Sequence, residues 1–333
     1  MRAVKSTHTM NGPNELMNRQ NSTPLVSIIM NCLNSAKYLH DAIDSVYAQT
    51  YPNWEIIFWD NVSSDNSAEI AQSYKDGRLR YFRGDKKVSL GHARNLAIAQ
   101  CQGEFIAFLD CDDLWLTEKL EKQLPLFLAD KEVGLVYSDT YFFNESGLQK
   151  RLYVDKTPYR GHCFSDLLNH YLISLETAVV RRSALDSLDQ WFDVNFNMIE
   201  EHDLFVRIGL NWKIDFSPDV LAKWRVHGQS LSWKAPDAFV HETRNMLEKL
   251  HTLPKIRSKY AHDLSLAWIG LAYAEAKMYW KNGDGRRARK CIQSYPIRGL
   301  KAYLIWGASF LPFAVVESLY RLVFDSVVPK KSN

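Results

Sequence analysis

Three carboxylates, Asp110, Asp112 and Asp113, fall within four positions at the end of an apolar run in EFIAFLDCDDLW (Glu104–Trp115). Like charges that close repel and raise one another's pKa unless something positive sits among them. One aspartate ahead of LWLTEKLEKQL would serve as a helix cap, accepting from free N–H groups. Three suggest a cation, or a ligand that brings one. An EF-hand loop needs an acid at its fifth position and glycine at its sixth, where this chain has Leu114 and Trp115. A phosphatase-type nucleophilic D-x-D stands near the start of its domain with Thr or Val two residues on, whereas here four strands' worth of chain precedes it and Leu114 takes that place. A D-x-D that holds Mg2+ or Mn2+ on a nucleotide diphosphate fits better. Such hard cations are bound by one or two carboxylates plus substrate phosphates.

The elements that would position these groups can be read from the apolar pattern. LVSIIMN (Leu25–Asn31), WEIIFWD (Trp54–Asp60), LRYFRG and EFIAFLD read as strands, the first two as continuous buried runs. Between them SAKYLHDAIDSVYAQT, NSAEIAQSY and GHARNLAIAQC read as helices, with Asp65 as a cap. This alternation predicts an α/β fold with a mostly parallel sheet flanked by helices. Ligands bind such sheets at the carboxyl ends of strands, where Asn31, Asp60 and Asp110 stand. Further on, the pattern predicts a helix after Leu116, a strand in VGLVYSDTYFF, and a helix in MIEEHDLFVRIGL with an Asp203–Arg207 ion pair. KIDFSPDVLAKWRVHGQSLS reads as short strands with a turn at Ser217–Pro218, and Asp113 as the cap of the helix that follows it.

Four blocks in order carry a resemblance. They are PLVSIIMNCLNSAKYLHDAIDSVYAQTYPNWEIIFWDNVSSDNS, GHARNLAIAQCQGEFIAFLDCDDLW, EEHDLFVRI and WRVHGQSLS. Over residues 24–232 the chain resembles a family 2 inverting glycosyltransferase of the GT-A fold. The resemblance implies an enzyme that moves a sugar from a nucleotide-diphospho-sugar, with a UDP-sugar favoured, to a hydroxyl of a glycan or lipid-linked acceptor. It implies Mn2+ or Mg2+ as cofactor and no nucleic acid partner. By position it assigns Asn31, Leu33, Asn34, Asp60, Asn61, Arg94 and Asp110 to the nucleotide-sugar, and Asp112, Asp110 and His227 to the metal. Glu201 would be the general base, with Glu200 as its acidic neighbour and the alternative base. Leu33 and Asn61 depart from the aromatic and aspartate usual in that family. Two other classes remain open at this point: a non-catalytic nucleotide-sugar binding module, and a D-x-D metal-dependent phosphatase.

Charge divides the chain. Residues 1–234 carry 25 Lys and Arg against 30 Asp and Glu, and residues 235–333 carry 16 against 8. A basic tail suits an anionic partner. The expected organisation is a flexible leader over 1–23, a GT-A domain over 24–234 and a helical region over 235–333. AYLIWGASFLPFAVV (Ala302–Val316) is uncharged but short for a membrane span, and reads either as a buried helix pair or as an interfacial segment beside basic residues. The five cysteines lack any C-x-x-C pair, so neither a zinc site nor a disulfide framework is indicated. The opening residues lack an apolar stretch. The expected location is the cytoplasm, with the inner face of the cell membrane as a peripheral site.

Overall fold

A computed structural model describes residues 23–147, 149–228, 236–294 and 300–324. The opening leader and the serines of HGQSLS therefore lie outside the described residues, apart from Thr23.

The first half builds as its pattern predicts. Strands β1 (Val26–Cys32), β2 (Trp54–Asp60), β3 (Leu79–Arg83) and β4 (Phe105–Phe108) run parallel, with β1 between β2 and β4. Their period of two splits each apolar run between two cores. Ile28, Met30, Ile56 and Phe58 face one side, where helix α1 (Ala36–Tyr47) buries Leu39, Ile43 and Val46. Ile29, Ile57 and Trp59 face the other, with Ala93 and Ala97 of α3 (Leu90–Ile98). Each fully buried aliphatic side chain contributes roughly 1.5–3 kcal/mol. Helix α2 (Ser67–Ser73) follows β2, and Asp65 Oδ1 accepts from Ser67 N just ahead of it.

The strand order is β3-β2-β1-β4, then β8 (Val179–Arg181), β6 (Val133–Phe143), β9 (Lys213–Arg225) and β5 (Leu114–Trp115), with β7 (Gln149–Arg151) paired to β6. The chain leaves β1 toward β2 and β3 and then returns on the other side as β4. The carboxyl ends of β1 and β4 thus flank a topological switch point, where open α/β sheets bind ligands.

Beyond β4 the sheet becomes mixed. Strand β8 (Val179–Arg181) is antiparallel to both β4 and β6 (Val133–Phe143), and β6 is parallel to β9 (Lys213–Arg225). The predicted turn at Ser217–Pro218 is not a turn. It is a bulge inside one 13-residue strand, where pairing steps from Ser138↔Ser217 to Asp139↔Val220. The step removes Pro218 from the ladder, to which it could not donate. Asp113 does not cap a helix either. The chain stays extended through β5 (Leu114–Trp115), which pairs with β9, and helix α4 (Lys119–Ala129) begins only at Lys119.

Three short helical pieces follow β7: α5 (Phe164–Asn169), a 3-10 turn at Leu175–Thr177 and α6 (Arg182–Asp186). Helix α7 (Glu200–Gly209) carries the predicted Asp203–Arg207 pair at 2.7 Å. From Pro236 the described chain is helical: α8 (Pro236–Thr252), α9 (Pro254–Lys259), α10 (Ala261–Lys281), α11 (Gly285–Ser294), α12 (Leu300–Ala308) and α13 (Phe313–Phe324). Met246, Leu247 and Leu250 of α8 belong to the same core as α3 and α7. A separate small cluster joins Ala276, Trp280, Ala288, Ile292 and Ala302.

Candidate active site

Two cavities open at the carboxyl ends of β1 and β4, and Asp112 lines both. The first, about 420 Å3, has Arg94, Asp110, Asp113, Glu176, Glu200 and Glu201 on its polar wall, and Phe142, Trp224, Tyr171 and Phe239 on its apolar wall. The second, about 520 Å3, lies between the start of α1 and the tip of the β6–β7 hairpin, lined by Asn34, Tyr38, Glu145 and His227.

Arg94 organises the acidic wall. It is 3% exposed, pairs with Glu200, and reaches Asp110 at 3.3 Å and Glu201 at 4.0 Å. Sequence position put Arg94 beside the nucleotide. Its guanidinium lies beneath three carboxylates of that cavity and neutralises part of their charge. Burial, then the charge of Glu200, pushes the Glu201 carboxyl up to about 8 against the pull of Arg94. Burial also raises Glu200 and Asp110, with Arg94 opposing in both cases. Glu200 is the one tied down by the guanidinium, while the Glu201 side chain keeps 22% exposure.

The start of α7 is held from a distance. The carboxylate of Glu242, on α8, accepts from the backbone N–H groups of Asn197, Met198 and Ile199 at 2.9–3.2 Å. These donors sit just ahead of Glu200, where a helix start leaves N–H groups unpaired. A C-terminal helix therefore fixes the approach to the two glutamates.

At the other end of the wall, His227 Nε2 lies 2.8 Å from Asp112 Oδ2, with its ring 5.3 Å from that of Tyr38. Arg225 secures the aspartate loop. Its N–H donates to Asp113 Oδ1 at 2.8 Å and its Nε to Asp112 O at 2.8 Å. Asp113 is thus the anchor for the end of β9. Burial, with Glu176, Asp112 and Asp110 nearby, raises its pKa well above the usual carboxylate value.

The residues expected to meet a nucleotide divide into two groups. Asn31 has both amide atoms buried without a partner among the described residues, Leu33 is exposed, and Asn34 adopts a left-handed φ of 57° with its Oδ1 accepting from Ser64 N at 2.8 Å. Asp60 and Asn61 are hydrogen-bonded within the fold. Asp60 accepts from Ser63 N, Tyr81 Oη and Arg83 Nη1, each at 2.7 Å. The Asn61 amide exchanges two hydrogen bonds with the backbone of Val88.

A divalent cation is compatible with this donor set. The wall is rich in carboxylate oxygens, the ligands such cations prefer. Among the described residues Glu176 Oε1 and Glu200 Oε2 are buried with no hydrogen-bond partner. Among the described residues no three His, Cys, Asp or Glu side chains converge as a preformed cage. Asp110 turns to Arg94 while His227 turns to Asp112, so phosphate oxygens and water would complete the coordination.

Comparison with known proteins bears on the chemistry. The sequence model of "Glycosyl transferase family 2" matches residues 27–189. The Rickettsia typhi "Uncharacterized glycosyltransferase RT0329" is 33% identical over 219 residues, covering 63% of this chain and 67% of that protein. The chain belongs to glycosyltransferase family 2.

The Escherichia coli glycosyltransferase named "UDP-Glc:alpha-D-GlcNAc-diphosphoundecaprenol beta-1,3-glucosyltransferase WfgD" is 28% identical over 186 residues, 56% of this family 2 chain and 69% of that protein. The crystal structure of Staphylococcus aureus TarS 1-349 in complex with UDP-GlcNAc superposes with a TM-score of 0.64 at 19% identity, covering 89% of this chain and 91% of that one. At that identity the likeness speaks for the GT-A fold. For this glycosyltransferase, sequence reasoning missed Glu176, Tyr171 and Glu242. The first two lie in a stretch without clear periodicity. Glu242 reads as one more acid on a solvated helix, and only its long-range partners reveal its role.

Proposed function

We propose that this glycosyltransferase takes a sugar from a nucleotide-diphospho-sugar, with a UDP-sugar favoured, and transfers it with inversion to a hydroxyl of a glycan or lipid-linked acceptor. The observation that carries this reading is the position of Asp112, shared by two cavities, with His227 on one side and the Arg94-buttressed glutamates on the other. Such an arrangement suits a donor whose diphosphate crosses at Asp112. Asn31, Leu33 and Asn34 are the groups that would meet the base and ribose, while Asp60 and Asn61 hold the surrounding loops.

Glu201 is the base in this mechanism. Its carboxylate takes the proton of the acceptor hydroxyl as that oxygen attacks the anomeric carbon, opposite the departing diphosphate. One displacement inverts the centre, and the step draws roughly 10²–10⁴-fold in rate from the base. Glu200, bound to Arg94, keeps the wall fixed. Asp112 and Asp110, with His227 adjoining, would hold Mn2+ or Mg2+, which neutralises charge on the leaving diphosphate when bound. Phe142 and Trp224, with ring centroids 5.0 Å apart, offer an apolar wall for the acceptor. We take residues 24–234 as the catalytic domain and the cytoplasm, at the inner face of the membrane, as its place of work.

The test is incubation with a panel of nucleotide sugars, with and without Mn2+ or Mg2+, following release of nucleotide diphosphate. Release that needs metal and is lost in both Glu201→Gln and Asp112→Asn supports the reading. Full activity in Glu201→Gln rejects the base.

A further inference from the structure

The C-terminal helices carry a surface that sugar transfer does not use. Tyr303 (69% exposed), Leu304 (61%), Trp306 (36%), Phe310 (60%), Leu311 (50%) and Val315 (46%) follow one another along α12, the loop after it and the start of α13. Single exposed apolar residues are ordinary, but a run of six large ones marks an interaction site.

These side chains are held outward. The loop carbonyls are pinned from below: Trp280 Nε1 donates to Leu311 O and Arg289 Nη1 to Ser309 O, both at 2.7 Å. The Arg289 guanidinium lies 4.0 Å from the Phe310 ring centroid, and the Trp306 and Phe310 rings meet edge to face at 5.1 Å. The opposite face of α12 is already occupied, since Ala302 and Ile305 pack on the small core around Trp280. The backbone thus presents a fixed apolar ridge.

Cations flank that ridge. Arg286, Arg287 and Lys290 on α11 are exposed. Arg286, Arg289 and Lys281 also line a cavity of about 550 Å3 whose other wall includes Phe310 and Phe313. From Gly285 to the end, the sequence has nine Lys and Arg against two Asp and Glu. A second copy of the chain packing through the same patch would bring the same positive field and be repelled. A bilayer carrying anionic headgroups supplies both an apolar interior and the complementary charge. Trp and Tyr suit its interface, where one end of the ring is wet. Among the described residues no helix is long and apolar enough to cross a membrane, so the ridge would lie in the interface, at a depth of roughly 5–10 Å.

We propose that the α12–α13 ridge and the α11 cations dock this glycosyltransferase on an anionic phospholipid surface. The proposal deepens the reading of a lipid-linked acceptor, and rests on it only for its purpose. The test is flotation of the intact protein with vesicles of phosphatidylcholine alone or of equal parts phosphatidylcholine and phosphatidylglycerol. The expected result is flotation with the anionic vesicles only, weakened by salt. Arg286→Gln with Lys290→Gln should weaken binding by about 25-fold, since each cation near a charged surface contributes about five-fold. Leu304→Ser with Phe310→Ser should abolish it while circular dichroism and diphosphate release in solution stay unchanged. Intact protein that remains unbound to anionic vesicles overturns the proposal. So does an Leu304→Ser/Phe310→Ser protein that floats like the parent, or one whose only change is the loss of a dimer. Vesicle binding without any donor turnover would instead sink the transferase reading and leave this one standing.

Discussion

Arg94 and Glu200 form a buried ion pair between residues 106 positions apart, each side chain 3% exposed. The same guanidinium is 3.3 Å from Asp110 and 4.0 Å from Glu201. Removing one partner of a buried pair leaves the other charge uncompensated, at a cost of about 3–5 kcal/mol. Arg94→Met is therefore expected to destabilise the protein by that order in urea unfolding. Adding Glu200→Gln should recover part of the loss, because the stranded charge is removed. Additive losses in the double variant would argue against a dominant Arg94–Glu200 pair.

Glu201 should give the reaction its pH dependence. Its carboxyl is raised to about 8 by burial first and by Glu200 second. A base must be ionised to act, so donor consumption should rise with pH toward about 8 and then level. The sign for stability is the reverse. The folded state holds this proton above the unfolded pKa of about 4.3, so the group's contribution falls as pH rises from there through about 8. Glu201→Gln should flatten both dependences. A rate profile with its rising limb near pH 4 would contradict the proposed environment.

The parts legible in the sequence are those that local patterning controls. β1, β2 and β4 announce themselves as apolar runs, and the polar residue ending each run marks the carboxyl edge of the sheet. Helix α7 shows its two glutamates because they begin an amphipathic stretch. What escaped depends on partners far away in the chain. Asp113 looks like a cap until Arg225 N is seen 2.8 Å from its Oδ1. Pro218 looks like a turn until β6 is seen to pair on both sides of it. Neither contact leaves a local periodic trace.

Glu242 illustrates the same point and can be tested separately. Its carboxylate binds three successive amides ahead of Glu200, so it acts on catalysis through the position of α7. Displacement of a catalytic group by about an ångström can cost up to roughly 100-fold in rate. Glu242→Ala should lower kcat by at least about ten-fold with little change in donor KM, and Glu242→Gln, which keeps an acceptor oxygen, should recover part. A loss in stability alone, with kcat and its pH profile intact, would reduce Glu242 to a structural residue.

Asp112 should make donor binding and metal binding inseparable. The cavity around Arg94 sets six carboxyl groups against Arg94 and Lys156, an unfavourable surface for a diphosphate. A cation on Asp112 reverses the local field, so nucleotide and metal should each strengthen the binding of the other. In thermal or urea unfolding, UDP alone and Mn2+ alone should each stabilise weakly. Together, at about 100 times the dissociation constant, they should add about 2.7 kcal/mol. Asp112→Asn should erase the joint effect while leaving the fold intact, since its carboxylate is 33% exposed and pairs with His227. His227→Asn should weaken it without erasing it. Equal stabilisation by UDP with and without Mn2+ would show that Arg94, Lys156 and the backbone suffice for the diphosphate, and the crowded aspartates would then need another explanation.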